Sequence, residues 1–266
     1  MRAVVTVKVG GNVLDDDTLC SLLLDSLASL GLPWILVHGG GKCATELSTR
    51  LGIQTNMIDG RRITDAATLD IVTMVYAGLI NKRLVAGLQA RGINALGVTG
   101  ADANLICARK RQHPTLDYGF VGDIARVDVE RLLAMLHTKL YPVIAPLTHD
   151  GRGTLLNTNA DTIASELASS LATALGNSVP VHLIYCFEQP GVLRTLDDST
   201  SVIGLLTNKE YEELKRSGNI TRGMIPKLDN AFAALRRGVT SVNIAHARAL
   251  SSFTTTPSIG TTLTLA

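Results

Sequence analysis

The stretch "VKVGGNV", residues 7–13, places Lys8 inside an apolar run and follows it at once with Gly10 and Gly11. Burying an unpaired ammonium group in a strand is costly, and paired glycines weaken strands. The stretch therefore reads as the end of a strand that opens on something needing a cation and bare backbone. It closes "AVVTVKV" (3–9), the first of a series of Val- and Ile-rich runs: "WILVH" (34–38), "NALGV" (94–98), "YPVIAP" (141–146), "VHLIYC" (181–186) and "SVNIA" (241–245). Amphipathic stretches lie between several of them. The longest spans 65–91, with apolar residues at helical spacing, Thr64 or Asp65 as N-cap and Gly92 beyond its end. Such alternation predicts an α/β fold around a mainly parallel, buried sheet. Residues 102–128 carry shorter, more polar runs and the turn glycines Gly119 and Gly122, and read as a hairpin excursion outside that sheet.

Composition narrows the function classes. The chain has 266 residues, 46% of them hydrophobic, enough for one large α/β unit or two lobes. A net charge of +2 with scattered basic residues argues against nucleic acid or an anionic membrane as partner, and 4% aromatics are too few for base stacking. No apolar run in the sequence reaches the roughly 18 residues of a membrane span. Lys8 interrupts the only N-terminal apolar stretch, which argues against a signal peptide. Cys20, Cys43, Cys107 and Cys186 are far apart and form no C-x-x-C, so they read as reduced, mostly buried thiols of a cytoplasmic protein.

A second glycine loop follows the second strand in "HGGGKCATELSTRLG" (38–52), where Gly39, Gly40 and Gly41 bring backbone N–H groups to a helix start. It is not a Walker A loop, because Leu36 stands where the first glycine belongs and Cys43 where the Ser or Thr belongs. Gly39, Gly41 and Ala44 satisfy a dinucleotide fingerprint, with Asp59 as the distant acid, but the residues before Asp59 make a poor strand and Lys8 stays unexplained. In a parallel sheet both glycine turns lie at the carboxyl ends of their strands, where open α/β sheets bind ligands. A cation beside bare N–H groups suits a phosphoryl group in transfer. Two later segments join them. "LLNTNADTIASELASSLA" (155–172) has Asp161 in a helix's first turn, which ordinary capping also explains, and "ITRGMIPKLDNAFAALRRG" (220–238) carries Lys227 after Pro226. No run of His, Cys, Asp or Glu has metal-ligand spacing, and no metal site is expected.

Five segments together, "VKVGGNV", "VHGGGK", "GRRITDAATLDIV", "LLNTNADTIASELA" and "GNITRGMIPKL", resemble the amino acid kinase family over essentially the whole chain. The resemblance implies a three-layer αβα sandwich around a mainly parallel sheet. It implies an N-terminal lobe, 1–175, for acyl amino acid binding and dimerisation, and a C-terminal lobe, 176–266, for ATP. The implied reaction moves the γ-phosphoryl group of ATP, with Mg2+ borne by the nucleotide, directly on to the γ-carboxylate of N-acetyl-L-glutamate, in arginine biosynthesis. N-succinyl-L-glutamate is the alternative acceptor. An inactive nucleotide-binding sensor and an NAD-dependent dehydrogenase are the readings from other classes.

By the same resemblance, Lys8 contacts the transferring phosphoryl group and Lys227 reaches it from the ATP side. Asp161 holds both lysines, and the N–H groups of Gly11 and Gly40 touch the phosphoryl group. Gly39, Gly40, Gly41, Arg62 and Asn157 bind the acyl amino acid, Arg62 and Asn157 through its α-carboxylate. Lys8, Gly10, Gly11, Glu188, Gly191, Gly223, Met224 and Lys227 bind the nucleotide, with Glu188 standing where the family usually has Asp. A carboxylate nucleophile is already ionised at neutral pH and needs no general base; it needs relief of repulsion between two anions, which lysines, N–H groups and magnesium provide. The chain starts seven residues before Lys8, without the extra N-terminal helix of arginine-inhibited hexameric relatives, so the expectation is an arginine-insensitive homodimer.

Overall fold

The computed structural model describes every residue except 59, 196–197, 219, 221–222, 254–257 and 266. Asp59 of the dinucleotide reading and parts of the segment before Lys227 therefore lie outside the described residues. The chain divides into two units, one of residues 1–34 and 164–266, the other of residues 35–163.

In the first unit Val4–Val9 pairs in parallel with Val181–Phe187, which pairs in parallel with Ser241–His246. Thr261–Thr264 runs antiparallel beside Ser241–His246, and Leu205–Thr207 pairs in parallel with it. Val4–Val9 is buried along its whole length, and Val181–Phe187 and Ser241–His246 are buried except at His182, Ser241 and His246, as Val- and Ile-rich runs require. Helix Ile225–Arg236 packs on this sheet, with Pro226 in its first turn, where the missing N–H has no helical partner to lose.

In the second unit Trp34–His38, Tyr141–Ile144 and Ala95–Val98 lie side by side in parallel. A separate sheet holds Leu155–Asn157, Leu147–His149, Ile106–Lys110 and Gly122–Val127. Its last two strands form the hairpin expected over 102–128, antiparallel and bulged between Cys107 and Ala108. The α/β class and the mainly parallel pairing are as the sequence predicts.

The long helix spans Ala66–Gln89. Asp65 caps it, accepting from the Thr68 N–H at 2.8 Å. Its middle, Thr73–Ile80, is wound as a π-helix, which the apolar spacing did not announce. By length and composition alone this helix, with an 18-residue window of mean hydropathy 1.3, is apolar enough to cross a membrane, although Asp70, Lys82 and Arg83 interrupt its apolar residues. Its apolar content has another use: Ile71, Val72, Val75, Tyr76, Ile80, Leu84 and Leu88 are buried against the protein. The cysteines also depart from expectation. All four are free, but only Cys186 is buried; Cys20, Cys43 and Cys107 are half-exposed.

Candidate active site

Each unit gathers its own set of the residues singled out in the sequence. In the first, Lys8 is buried near the end of Val4–Val9 and lies in register with Tyr185 of the neighbouring parallel strand. Registered partners project to the same face of a sheet. The Lys227 ammonium lies over the Tyr185 ring, 5.3 Å from its centre. Tyr185 is thus a shared reference for both lysines, and "VHLIYC" gave no sign of it beyond an aromatic in an aliphatic strand.

Beside them is a cavity of about 440 Å3 lined by Gly10, Gly11, Asn12, Glu188, Gly191, Gly223, Met224 and Lys227 together with Phe187, Val192, Leu193 and Ile220. The Gly10 N–H is taken by the Cys186 carbonyl at 3.1 Å, which continues the ladder between Val4–Val9 and Val181–Phe187. Gly11 opens the helix Gly11–Asp15, and no side chain caps that helix. A methyl group on Gly11 would meet no protein atom within 4 Å. Asn12 donates from Nδ2 to Glu188 Oε1 at 2.9 Å, so Glu188 ties the loop after Val181–Phe187 to the glycine turn. Asn12 is a member of this set that sequence reasoning did not single out.

In the second unit the acyl-amino-acid candidates form one hydrogen-bonded network. Arg62 is buried and donates from Nη2 to the Gly41 carbonyl and to Thr45 Oγ1, both at 2.8 Å, and from Nη1 to Thr55 Oγ1 at 3.0 Å. These three acceptors are neutral, so the bonds orient the guanidinium without cancelling its charge. Asn157 donates from Nδ2 to Thr64 Oγ1 at 3.0 Å, and Thr64 Oγ1 donates to the Arg62 carbonyl at 2.9 Å. Burial raises the pKa of the Tyr76 phenol, and Arg62 beside it works the other way.

Gly40 adopts φ +155°, and a Cβ there would collide with Ile80 Cδ1 and come within 2.9 Å of Tyr76 Cδ1. Only glycine fits. Gly39 and Gly40 lead straight into the helix Gly41–Arg50, again with no side-chain cap. Asp161 lies in the first turn of Ala160–Leu175, where Asn159 Oδ1 accepts from the Thr162 N–H at 3.0 Å and supplies the cap.

Residues 3–246 match the amino acid kinase family. The chain belongs to that family. It is 54% identical over 251 residues to the acetylglutamate kinase of Cytophaga hutchinsonii, covering 94% of both chains. It is 51% identical to the acetylglutamate kinase of Bacteroides thetaiotaomicron, covering 94% of this chain and 96% of the other. Among solved structures, N-acetylglutamate synthase from Neisseria gonorrhoeae, complexed with coenzyme A and N-acetyl-glutamate, matches with a TM-score of 0.83 at 23% identity over 99% of this chain and 60% of the other. A Streptococcus mutans protein matches with a TM-score of 0.81 at 25% identity over the whole of both chains. The amino acid kinase fold expected from the five segments is therefore present. The chain is a kinase, and the dehydrogenase reading of Gly39, Gly41 and Ala44 falls away.

Proposed function

We propose that this chain transfers the γ-phosphoryl group of ATP to the γ-carboxylate of N-acetyl-L-glutamate, forming an acyl phosphate for arginine biosynthesis. What carries the reading is the match to kinases named for acetylglutamate over 94% of the chain at up to 54% identity. The geometry supports it. A cavity with open glycine backbone, a lysine and an apolar wall suits a nucleotide, and an oriented but unneutralised guanidinium suits a carboxylate. Lys8 and Lys227 take the role of charge stabilisers at the phosphoryl group, with the Gly11 and Gly40 N–H groups as donors and Asp161 holding the lysines. Arg62 and Asn157, with Gly39–Gly41, take the acyl amino acid. Gly10, Glu188, Gly191, Gly223 and Met224, with Lys8, Gly11 and Lys227, take ATP, and Mg2+ enters as part of the MgATP substrate. The lobe roles we give are 1–175 for the acyl amino acid and dimerisation and 176–266 for the nucleotide, with Lys8, Gly10 and Gly11 reaching the nucleotide from the first.

We assign a cytoplasmic homodimer, in keeping with the free thiols. Met74 and Leu79 are large apolar side chains exposed on Ala66–Gln89, and this is the face we give to the partner copy. Sedimentation should show a dimer for the wild type and a monomer for Met74→Lys combined with Leu79→Lys; a dimer in both would remove this face. The reaction itself is tested by trapping the acyl phosphate as a hydroxamate from a panel of N-acylglutamates. N-Acetyl-L-glutamate should turn over fastest. Preference for the N-succinyl compound would change the substrate, and nucleotide binding without turnover on any of them would make the chain a sensor.

A further inference from the structure

His38 ends the strand Trp34–His38 with its imidazole fully buried. A buried imidazole needs partners at both nitrogens, and each partner fixes what the nitrogen must do. Nδ1 lies 2.8 Å from the Gly39 carbonyl oxygen. That oxygen can only accept, so Nδ1 carries the proton and Nε2 is the acceptor. Asn81 Nδ2 meets it at 3.2 Å.

Asn81 is itself held on both ends. Its Nδ2 also donates to the Val143 carbonyl at 2.8 Å, and its Oδ1 accepts from Lys82 Nζ at 3.1 Å. Lys82 donates in turn to the Gly97 carbonyl at 3.0 Å. Gly97 has no room for a Cβ, because the Asn81 side chain fills that place. Burial is the main cause that lowers the His38 pKa to about 4; the Gly39 carbonyl opposes it and the Lys82 charge adds to it. The ring is therefore neutral at working pH and its donor and acceptor roles do not change.

The Gly39 carbonyl and the Gly40 N–H belong to one planar trans peptide unit and point in opposite directions. Whatever fixes one aims the other. Asn81 follows directly on the π-helical stretch that presses Tyr76 and Ile80 against Gly40. The same helix thus bounds the loop at the Gly40 Cα and, through His38, at the Gly39 carbonyl.

We propose that His38 and Asn81 are positioning residues of the phosphoryl transfer: by holding the Gly39 carbonyl they set the direction of the Gly40 N–H that meets the transferring group. This rests on the kinase reading given above. It makes Asn81 more than a helix residue and His38 more than a filler of the core.

Two substitutions separate the halves of the imidazole. In His38→Asn the side-chain amide nitrogen stands near the place of Nδ1 and can still donate to Gly39. In His38→Gln the side-chain end stands near the place of Nε2, accepts from Asn81 and leaves Gly39 without its donor. Both remove the ring, so loss of packing alone should lower their thermal midpoints alike. We expect kcat about tenfold or more below wild type in His38→Gln and within about threefold in His38→Asn, since a misaimed donor stabilises the transition state poorly. KM for ATP should move less than about twofold in either. Amide exchange at Gly39–Lys42 should be about tenfold faster in His38→Gln than in His38→Asn, a readout that needs no turnover. Equal kcat and equal exchange in the two variants would overturn the proposal, as would a normal kcat in His38→Gln. Should the exchange contrast persist while the wild type makes no acyl phosphate, the kinase reading fails and the positioning of the loop stands. Lys82 is exposed, so Lys82→Met gives a third variant that is safe for folding. It should also speed exchange at Gly39–Lys42, and unchanged exchange there counts against the network.

Discussion

Arg62 reaches back 21 residues to donate from Nη2 to the Gly41 carbonyl at 2.8 Å, so the arginine given to the acyl amino acid is tied to the residue at which the glycine turn enters the helix Gly41–Arg50. Thr45 closes the arrangement by donating to the same carbonyl at 2.9 Å while accepting from Arg62. A lysine at 62 keeps the charge but cannot span Thr55 on one side and Gly41 on the other. Arg62→Lys should therefore raise KM for N-acetyl-L-glutamate about tenfold or more and leave KM for ATP nearly unchanged. Steady-state kinetics with each substrate varied in turn measure this. Equal weakening of both would take the α-carboxylate away from Arg62.

The two glycines given to the phosphoryl group differ in why they are bare, and that difference is measurable. Gly40 is walled by Tyr76 and Ile80, whereas Gly11 faces open space. Gly40→Ala should cost about 1–3 kcal/mol of stability through overpacking, with a loss of turnover besides. Gly11→Ala sits in a helix, where alanine is favoured, so its thermal midpoint should equal or exceed that of the wild type while kcat falls. Chemical denaturation and kinetics on both variants check the contrast. Unchanged turnover in Gly11→Ala would mean that nothing approaches the backbone there.

Much of the fold was legible because its signals are local. Val4–Val9, Trp34–His38 and Val181–Phe187 are predominantly apolar runs, and such runs are what a strand buried on both faces requires. Asp65 announced the long helix by its own side chain. The short strands Leu147–His149, Leu155–Asn157, Leu205–Thr207 and Thr261–Thr264 went unread, since three or four residues carry too little pattern and owe their form to their neighbours. Leu155–Asn157 stands directly before the polar residues that open the helix Ala160–Leu175, which masks its strand character in the sequence. The site divides in the same way. Glycine loops, Lys8 near a strand end and Lys227 at a helix start showed in the sequence, but the His38–Asn81 pair, 43 residues apart, acquires meaning only when the helix Ala66–Gln89 packs behind the loop. Tyr185 likewise reads as core until Lys227 is seen over its ring.

Acid should act on stability through His38. Its pKa is about 4 in the folded chain against an ordinary 6.5. Between those values the unfolded chain binds a proton that the native state refuses, so stability falls as pH falls through that window and is untouched above it. Over the full shift this one residue's share is about 3 kcal/mol. Denaturation at pH 7.5 and at pH 4.5 should show the wild type losing more than His38→Asn does. The imidazole signals should stay those of a neutral ring at pH 5. An NMR titration midpoint near 6.5 would show that the ring is hydrated rather than sealed between Gly39 and Asn81.

Asp161 poses the hardest choice between an ordinary and a catalytic role. A carboxylate in a helix's first turn is worth about 0.3–1 kcal/mol through the helix dipole, and that alone could account for its presence. The cap of this helix, however, comes from Asn159, whose Oδ1 takes the Thr162 N–H at 3.0 Å. Asp161 is thus not needed as the cap, although its charge still faces the helix dipole, and the role we give it beyond that is to hold Lys8 and Lys227 and to offset their mutual repulsion before substrates arrive. Asp161→Asn keeps the size and removes only the charge. The fold should survive, with a thermal midpoint close to that of the wild type, because the Asn159 cap is untouched. Turnover should fall about tenfold or more, because two long ammonium groups without an organising carboxylate stabilise the transition state less well. Thermal unfolding and steady-state kinetics on one preparation decide between the roles. Normal turnover with a slightly lowered midpoint would return Asp161 to the helix dipole and leave the two lysines to be held by something else.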